Sequence, residues 1–266
     1  MSPSWRDRVS VFFAPGHVHL TRYGKGWRPQ PGMGLALACG AANGTAWQPP
    51  LEALARGLGN LRWQGADARV TVSNHFVRYA LVRYAGKLRG DAERAAAARH
   101  ALRATYGERA DRWRVVLGDG GARSPAVAAA IEPELVEGIA AALAAANLRV
   151  VAIEPFLAAA FNLCRRAIDG RPAWLAVAEP GRVCVAYLDD GEWRRLRIER
   201  VRGRLADELP SALERSRLAD GVDAGPGRVL LVSRDEPQVA FPPGSGWAIE
   251  WVRLADAGGA PVTVDE

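Results

Sequence analysis

The order of the secondary-structure signals constrains this chain most, because it occurs twice. Residues 9–14 and 17–23 read as strands across a tight Pro15-Gly16 turn, and residues 33–39 read as a third strand. A short helix follows over 50–58, with Leu51, Leu54 and Leu58 on one face, and then a buried strand over 68–72 ending at Ser73-Asn74. Later, residues 174–178, 182–188 and 193–201 form strands across a Glu179-Pro180-Gly181 turn and an Asp189-Asp190-Gly191 hairpin turn. A helix over 205–218 and a strand over 228–233 complete the second block. The two halves share an order of elements without clear sequence identity, which predicts two α/β lobes with a cleft between them.

The material between the blocks has its own pattern. Residues 77–84 mix apolar and polar positions as a half-exposed strand does. Asp91 is expected to cap a helix running to about residue 106, where Gly107 stops it. A strand is expected over 112–117, residues 127–131 form another short apolar segment, and Glu132-Pro133-Glu134 opens a helix to 148. A strand over 150–153 and a helix over 155–168 close the segment. The expected domains are a first lobe over 1–170, carrying an inserted α/β subdomain around 75–150, and a second lobe over 171–266. From Arg234 the chain is Pro- and Gly-rich, with one more strand expected at 247–254 and a loose end after it.

Composition narrows the function classes. With 49% hydrophobic residues the chain can bury a substantial core. Its net charge of +6 comes almost wholly from arginine, lysine occurring only at Lys25 and Lys87. The basic residues are scattered rather than gathered in one stripe, so no nucleic-acid partner is expected. Cys39, Cys164 and Cys184 form no CxxC pair and sit among apolar neighbours, as reduced, buried thiols do. Residues 1–7 are polar, and the apolar run after them is too short for a secretory signal. The Ala-rich stretch over 125–148 comes nearest to a membrane span, but Glu132, Glu134 and Glu137 interrupt it. A cytoplasmic location is expected, with membrane contact only through a partner.

Two motifs carry a resemblance. Residues 151–160, from Val151 through Glu154-Pro155 to Ala158-Ala159-Ala160, resemble the connecting segment of ATP-hydrolysing heat-shock chaperones. Residues 174–191, containing Glu179-Pro180-Gly181 and Asp189-Asp190-Gly191, look like the second phosphate loop of the same group. The order of elements resembles the actin-like, ribonuclease-H-like superfold: duplicated β-β-β-α-β-α lobes with a central cleft. A nearer resemblance, over about residues 9–201, is to the PilM-like and GspL-like cytoplasmic proteins of type IV pilus and type II secretion assembly. It rests on Ser73-Asn74-His75-Phe76-Val77-Arg78-Tyr79, the Trp113 strand, the helix from Glu134 and the Ile153-Glu154-Pro155-Phe156 junction, in that order. It implies a scaffold that binds the cytoplasmic tail of an inner-membrane platform protein in a cleft, with self-association left open.

The departures from that pattern bear on mechanism. Phosphoryl transfer needs backbone N–H groups around the phosphates and a carboxylate near the metal or water. The first loop is Ala14-Pro15-Gly16-His17, with no charge at Ala14 and no N–H on Pro15. In the second, Glu179 stands in place of the usual Asp, Pro180 removes a donor, and Arg182 and Val183 replace small residues. Leu230-Leu231-Val232-Ser233-Arg234 stands where an adenosine-contacting Gly-Gly turn is expected. No cofactor is therefore expected. ATP with magnesium is the alternative, for which the resemblance would enlist Gly16, Glu154, Glu179 and Gly181. The plainer reading makes Glu179 a turn acid and Glu154 the acid before a helix.

Other candidates are weaker. Arg78 and Tyr79 either pair between lobes or anchor a partner, and exposed tryptophans in the loop over 23–31 are a further partner surface. His17 and His19 share a strand face, but no cluster completes a metal shell around them. A ribonuclease-H-like nuclease needs several carboxylates around two metals, and the first strand carries none.

Overall fold

The computed structural model describes residues 6–26, 30–42, 44–83, 88, 90–118, 125–168, 170–219, 227–234 and 246–253. Trp27 and the chain after 253 lie outside them. Along the chain, β1 (Arg8–Phe13), β2 (His17–Tyr23) and β3 (Pro31–Ala38) lead into α1 (Gln48–Leu58) and β4 (Asp67–Val72). Then come β5 (Arg78–Val82), α2 (Gly90–Tyr106), β6 (Arg114–Leu117) and β7 (Ala126–Ile131). Next are α3 (Pro133–Ala145), β8 (Arg149–Pro155) and α4 (Phe156–Ile168). The remainder is β9 (Ala173–Glu179), β10 (Arg182–Asp189), β11 (Glu192–Arg200), α5 (Leu205–Ala219), β12 (Arg228–Ser233) and β13 (Ala248–Arg253).

The duplication appears in the pairing. One five-stranded sheet has the order β3-β2-β1-β4-β8 and the other β11-β10-β9-β12-β13. In both, the first three strands pair antiparallel and the last two join in parallel. A three-stranded sheet, β5-β7-β6, is inserted between β4 and β8 and carries α2 on one face. The chain rejoins the first lobe at α3, which packs on α1. That approach is close, because a Cβ on Gly138 would lie 2.6 Å from a Leu51 methyl.

Alternation distributes the core. On β9, Leu175 and Val177 face a core shared with the first lobe, while Trp174, Ala176 and Ala178 face α5 and Trp247. All seven residues of β9 are buried, as expected of a central strand covered on both faces. Helix α4 contacts β4 and β8 of the first sheet and β9 and β10 of the second, so one apolar core runs through both lobes. The β10–β11 turn places Asp190 at φ 52° and Gly191 at φ 74°, the left-handed pair that a tight hairpin favours. One local expectation shifts. Helix α2 begins at Gly90, so Asp91 lies with Glu93 in its first turn, where both still face the positive end of the helix dipole.

Leu54 of α1 is fully buried against this core. Truncation of Leu54 to Ala is expected to lower unfolding free energy by roughly 2–5 kcal/mol, read as a shifted midpoint in urea with unchanged slope.

Candidate functional site at the seam between the lobes

Ser73 follows the last residue of β4, and its N–H donates to the Phe13 carbonyl at the end of β1 (2.9 Å). Its hydroxyl accepts the His75 N–H at 3.1 Å, folding the chain into a tight turn. The turn presents Asn74, fully buried, to the second lobe. The Asn74 N–H donates to the Glu179 carboxylate at 2.9 Å, and the Asn74 carbonyl accepts from the Arg182 guanidinium at 2.8 Å. The Asn74 side-chain oxygen accepts the Leu157 N–H at 3.0 Å and the Tyr79 hydroxyl at 2.6 Å. One residue thereby joins β9, β10, β5 and the start of α4. Its Nδ2 has no partner among the described residues.

His75 adds a second strap. Its Nε2 lies 3.0 Å from the Pro180 carbonyl. A carbonyl only accepts, so the ring proton sits on Nε2. Burial, with Arg182 and Arg78 nearby, holds the His75 pKa below its ordinary value. Burial also pushes the Tyr79 phenol well above its usual range, leaving it a neutral donor to Asn74. Desolvation and the like charges of Arg78 and Arg200 lower the Arg182 pKa. The nearby thiols are inert, burial raising Cys184 strongly and Cys164 to about 12.

The four residues that the resemblance would enlist for a nucleotide lie on three parts of the fold. Glu179, 3% exposed, and Gly181, at φ +78°, lie in the β9–β10 turn against Asn74. Gly16 lies in the β1–β2 turn, where Ala14 N–H already bonds the His17 carbonyl at 3.1 Å. Glu154 lies on β8, paired with Arg69 at 3.4 Å. From the second lobe, Arg234 reaches the first and covers the Phe12 ring at 4.9 Å. Of the two candidate partner residues, Tyr79 is buried with its hydroxyl on Asn74. Arg78 is half-buried and donates to the His75 and Val77 carbonyls at 3.1 and 3.2 Å. Among the described residues no group of three His, Cys, Asp or Glu could hold a metal.

Beside this seam lies a groove of about 970 Å³. Val116, Val127, Ala129 and Ile131 line one wall, the face of the inserted sheet that α2 leaves open, and Phe161 of α4 and Val151 of β8 line the other. Val116 and Val151 are 63% and 52% exposed. Among the described residues, strands β8 and β6 each end their sheets, so both present an unpaired edge there. Sequence reasoning did not find this groove, because its walls belong to separate elements that only the packing of the inserted sheet against β8 and α4 brings face to face. It did quote Asn74 and His75 within a motif, without reading the hub they form.

The comparisons agree with this architecture. No family model and no curated protein matches the chain. Among solved structures, it is similar to an actin-like ATPase-fold protein of unknown function from Bacteroides thetaiotaomicron (TM-score 0.60, 7% identity, covering 88% of this chain and 84% of that one). The chain has the actin-like fold. It is also similar to the cytoplasmic domain of EpsL, an inner-membrane component of the type II secretion system of Vibrio cholerae (0.58, 11%, 92% and 89%). A third likeness is to the PilM-PilN type IV pilus biogenesis complex (0.62, 14%, 85% and 81%). No helix among the described residues is long and apolar enough to cross a membrane.

Two outcomes test the seam. Replacing Asn74 with Ala strands the buried Tyr79 hydroxyl and Leu157 N–H, and is expected to cost roughly 2–5 kcal/mol in chemical unfolding. His75 supplies the second. With its folded pKa depressed, the unfolded chain binds the proton first, so stability is fully present above about pH 6.5 and falls as pH drops through the window below. Urea midpoints measured from pH 8 to pH 5 should fall, and His75→Gln should flatten that dependence.

Proposed function

We propose that this chain is a non-catalytic scaffold of a type IV pilus or type II secretion-like assembly platform, binding the cytoplasmic tail of an inner-membrane partner. The observation that carries the non-catalytic part is the seam. Glu179, the carboxylate that a nucleotide site would aim at metal or water, is buried and accepts the Asn74 N–H. Pro15 and Pro180 remove a donor from each loop, and Arg234 reaches across to Phe12. An actin-like ATPase must hold a triphosphate between its lobes, whereas here protein hydrogen bonds join them directly.

The groove supports the binding part. Its walls are apolar, its edge strands offer main-chain groups, and it suits an extended segment. Arg114 and Arg165 line it without an ion pair to any described residue. Glu154, Asp190 and Glu192 line it as well, so its charge is mixed and the fitting occupant is an extended tail segment with small apolar side chains. Structural likeness to the EpsL cytoplasmic domain and to the PilM-PilN complex supports this reading.

The test uses synthetic peptides spanning the cytoplasmic tails of inner-membrane platform proteins encoded beside this gene. One tail is expected to raise the melting temperature of the wild-type protein. Ala129→Trp, which fills the groove, should abolish that rise. Magnesium and ATP should show no turnover. Stabilisation by no tail, or ATP turnover that Glu179→Ala removes, would overturn the proposal.

A further inference from the structure

The seam gathers positive charge that the scaffold reading does not use. On β10 and β11, residues directly opposite share a face, and Arg182 pairs with Arg200. The same face carries Cys184 opposite Ile198 and Ala186 opposite Leu196, both pairs turned toward the core shared with the first lobe. Strand β5, which begins with Arg78, lies against β11. Arg78, Arg182 and Arg200 are close enough for both neighbours to depress the Arg182 pKa.

None of the three guanidiniums forms an ion pair with a described residue. Arg182 spends one nitrogen on the Asn74 carbonyl, and Arg78 one nitrogen on the His75 and Val77 carbonyls. The remaining N–H groups of both forks have no described acceptor. Nearby acids are engaged elsewhere. Glu199 pairs with Arg215 on the opposite face of β11, Glu192 with Arg194, and Glu208 accepts the Arg202 N–H. The one acid near Arg182 is Glu179, buried and bonded to Asn74. Three arginines and one carboxylate leave a local charge of +2.

We infer that Arg78, Arg182 and Arg200 form an oxyanion site for a phosphate-class dianion, separate from the apolar groove. Three planar forks carrying unused donors suit a tetrahedral group with several acceptor oxygens. A single carboxylate would leave the site positively charged, whereas a dianion balances it. Filling the site relieves the repulsion between Arg182 and its neighbours and ties β5 to the β10–β11 hairpin. The dianion is free phosphate or the phosphomonoester headgroup of a lipid.

The experiment measures thermal shift and calorimetric binding with inorganic phosphate against sodium chloride of equal ionic strength. In parallel it measures co-sedimentation with phosphatidylcholine vesicles holding ten mole per cent phosphatidic acid, against the same vesicles with phosphatidylserine. Binding of phosphate identifies the free ion, and preference for phosphatidic acid alone identifies the headgroup; either supports the site. Arg200→Gln, at an exposed position that bonds nothing described, tests the site without disturbing the seam and should weaken binding roughly tenfold. Arg182→Lys should bind more weakly than wild type and more tightly than Arg182→Gln. Arg56→Gln on α1 should bind as wild type. Equal responses to phosphate and chloride with no vesicle preference, or binding unchanged in Arg200→Gln, would overturn the inference. Loss of tail-peptide binding in the groove would not touch it.

Discussion

Asn74 is the residue on which the two-lobed arrangement turns. Its amide, carbonyl and side-chain oxygen are all used, and each leads to a different element. Leaving buried polar groups unmade is far more costly than the net gain from making them, so such a hub acts chiefly as a constraint. Any opening of the cleft would break the bonds that Glu179 and Arg182 make to Asn74. The lobes of an actin-like nucleotide enzyme must part and close around their ligand. Here such a motion would have to break buried, charge-assisted hydrogen bonds.

The apolar packing reinforces the same conclusion. Helix α4 is sandwiched by both sheets, and the core it anchors includes Val70 and Phe13 from one lobe and Val177, Ala186 and Val232 from the other. Separation of the lobes would expose this continuous surface to water, a loss that scales with its area. Polar hub and apolar helix therefore act in series, the first fixing register between the lobes and the second supplying the bulk of the attraction.

The fold was legible in the sequence where chemistry is local. The Asp190-Gly191 turn, the Pro133 helix start and the apolar run of β9 before Glu179 each carry their own signal, and the repeated order of strands leads directly to two sheets of matching topology. The altered phosphate loops were visible too, since Pro15 and Pro180 cannot donate whatever surrounds them. Contacts between residues about a hundred positions apart left no trace in spacing. The Asn74 to Glu179 bond spans 105 residues, and nothing about an Asn after a buried strand distinguishes a hub from a turn. Glu154 shows how little a motif says about contacts. It stands in a motif-like context, yet its described partner is Arg69 on the neighbouring strand.

A rigid seam also changes what the neighbouring groove can do. Binding an extended segment costs ordering entropy on both sides, and a receptor that must first assemble its walls adds to that cost. The groove walls come from the inserted sheet, from β8 and from α4, and Asn74 bonds directly to the first residues of α4 through Leu157 and to the inserted sheet through Tyr79. The Asn74 hub thus holds two walls of the groove in fixed relation. On the scaffold reading, the hydrogen bonds that join the lobes also position the surfaces on which a partner would rest.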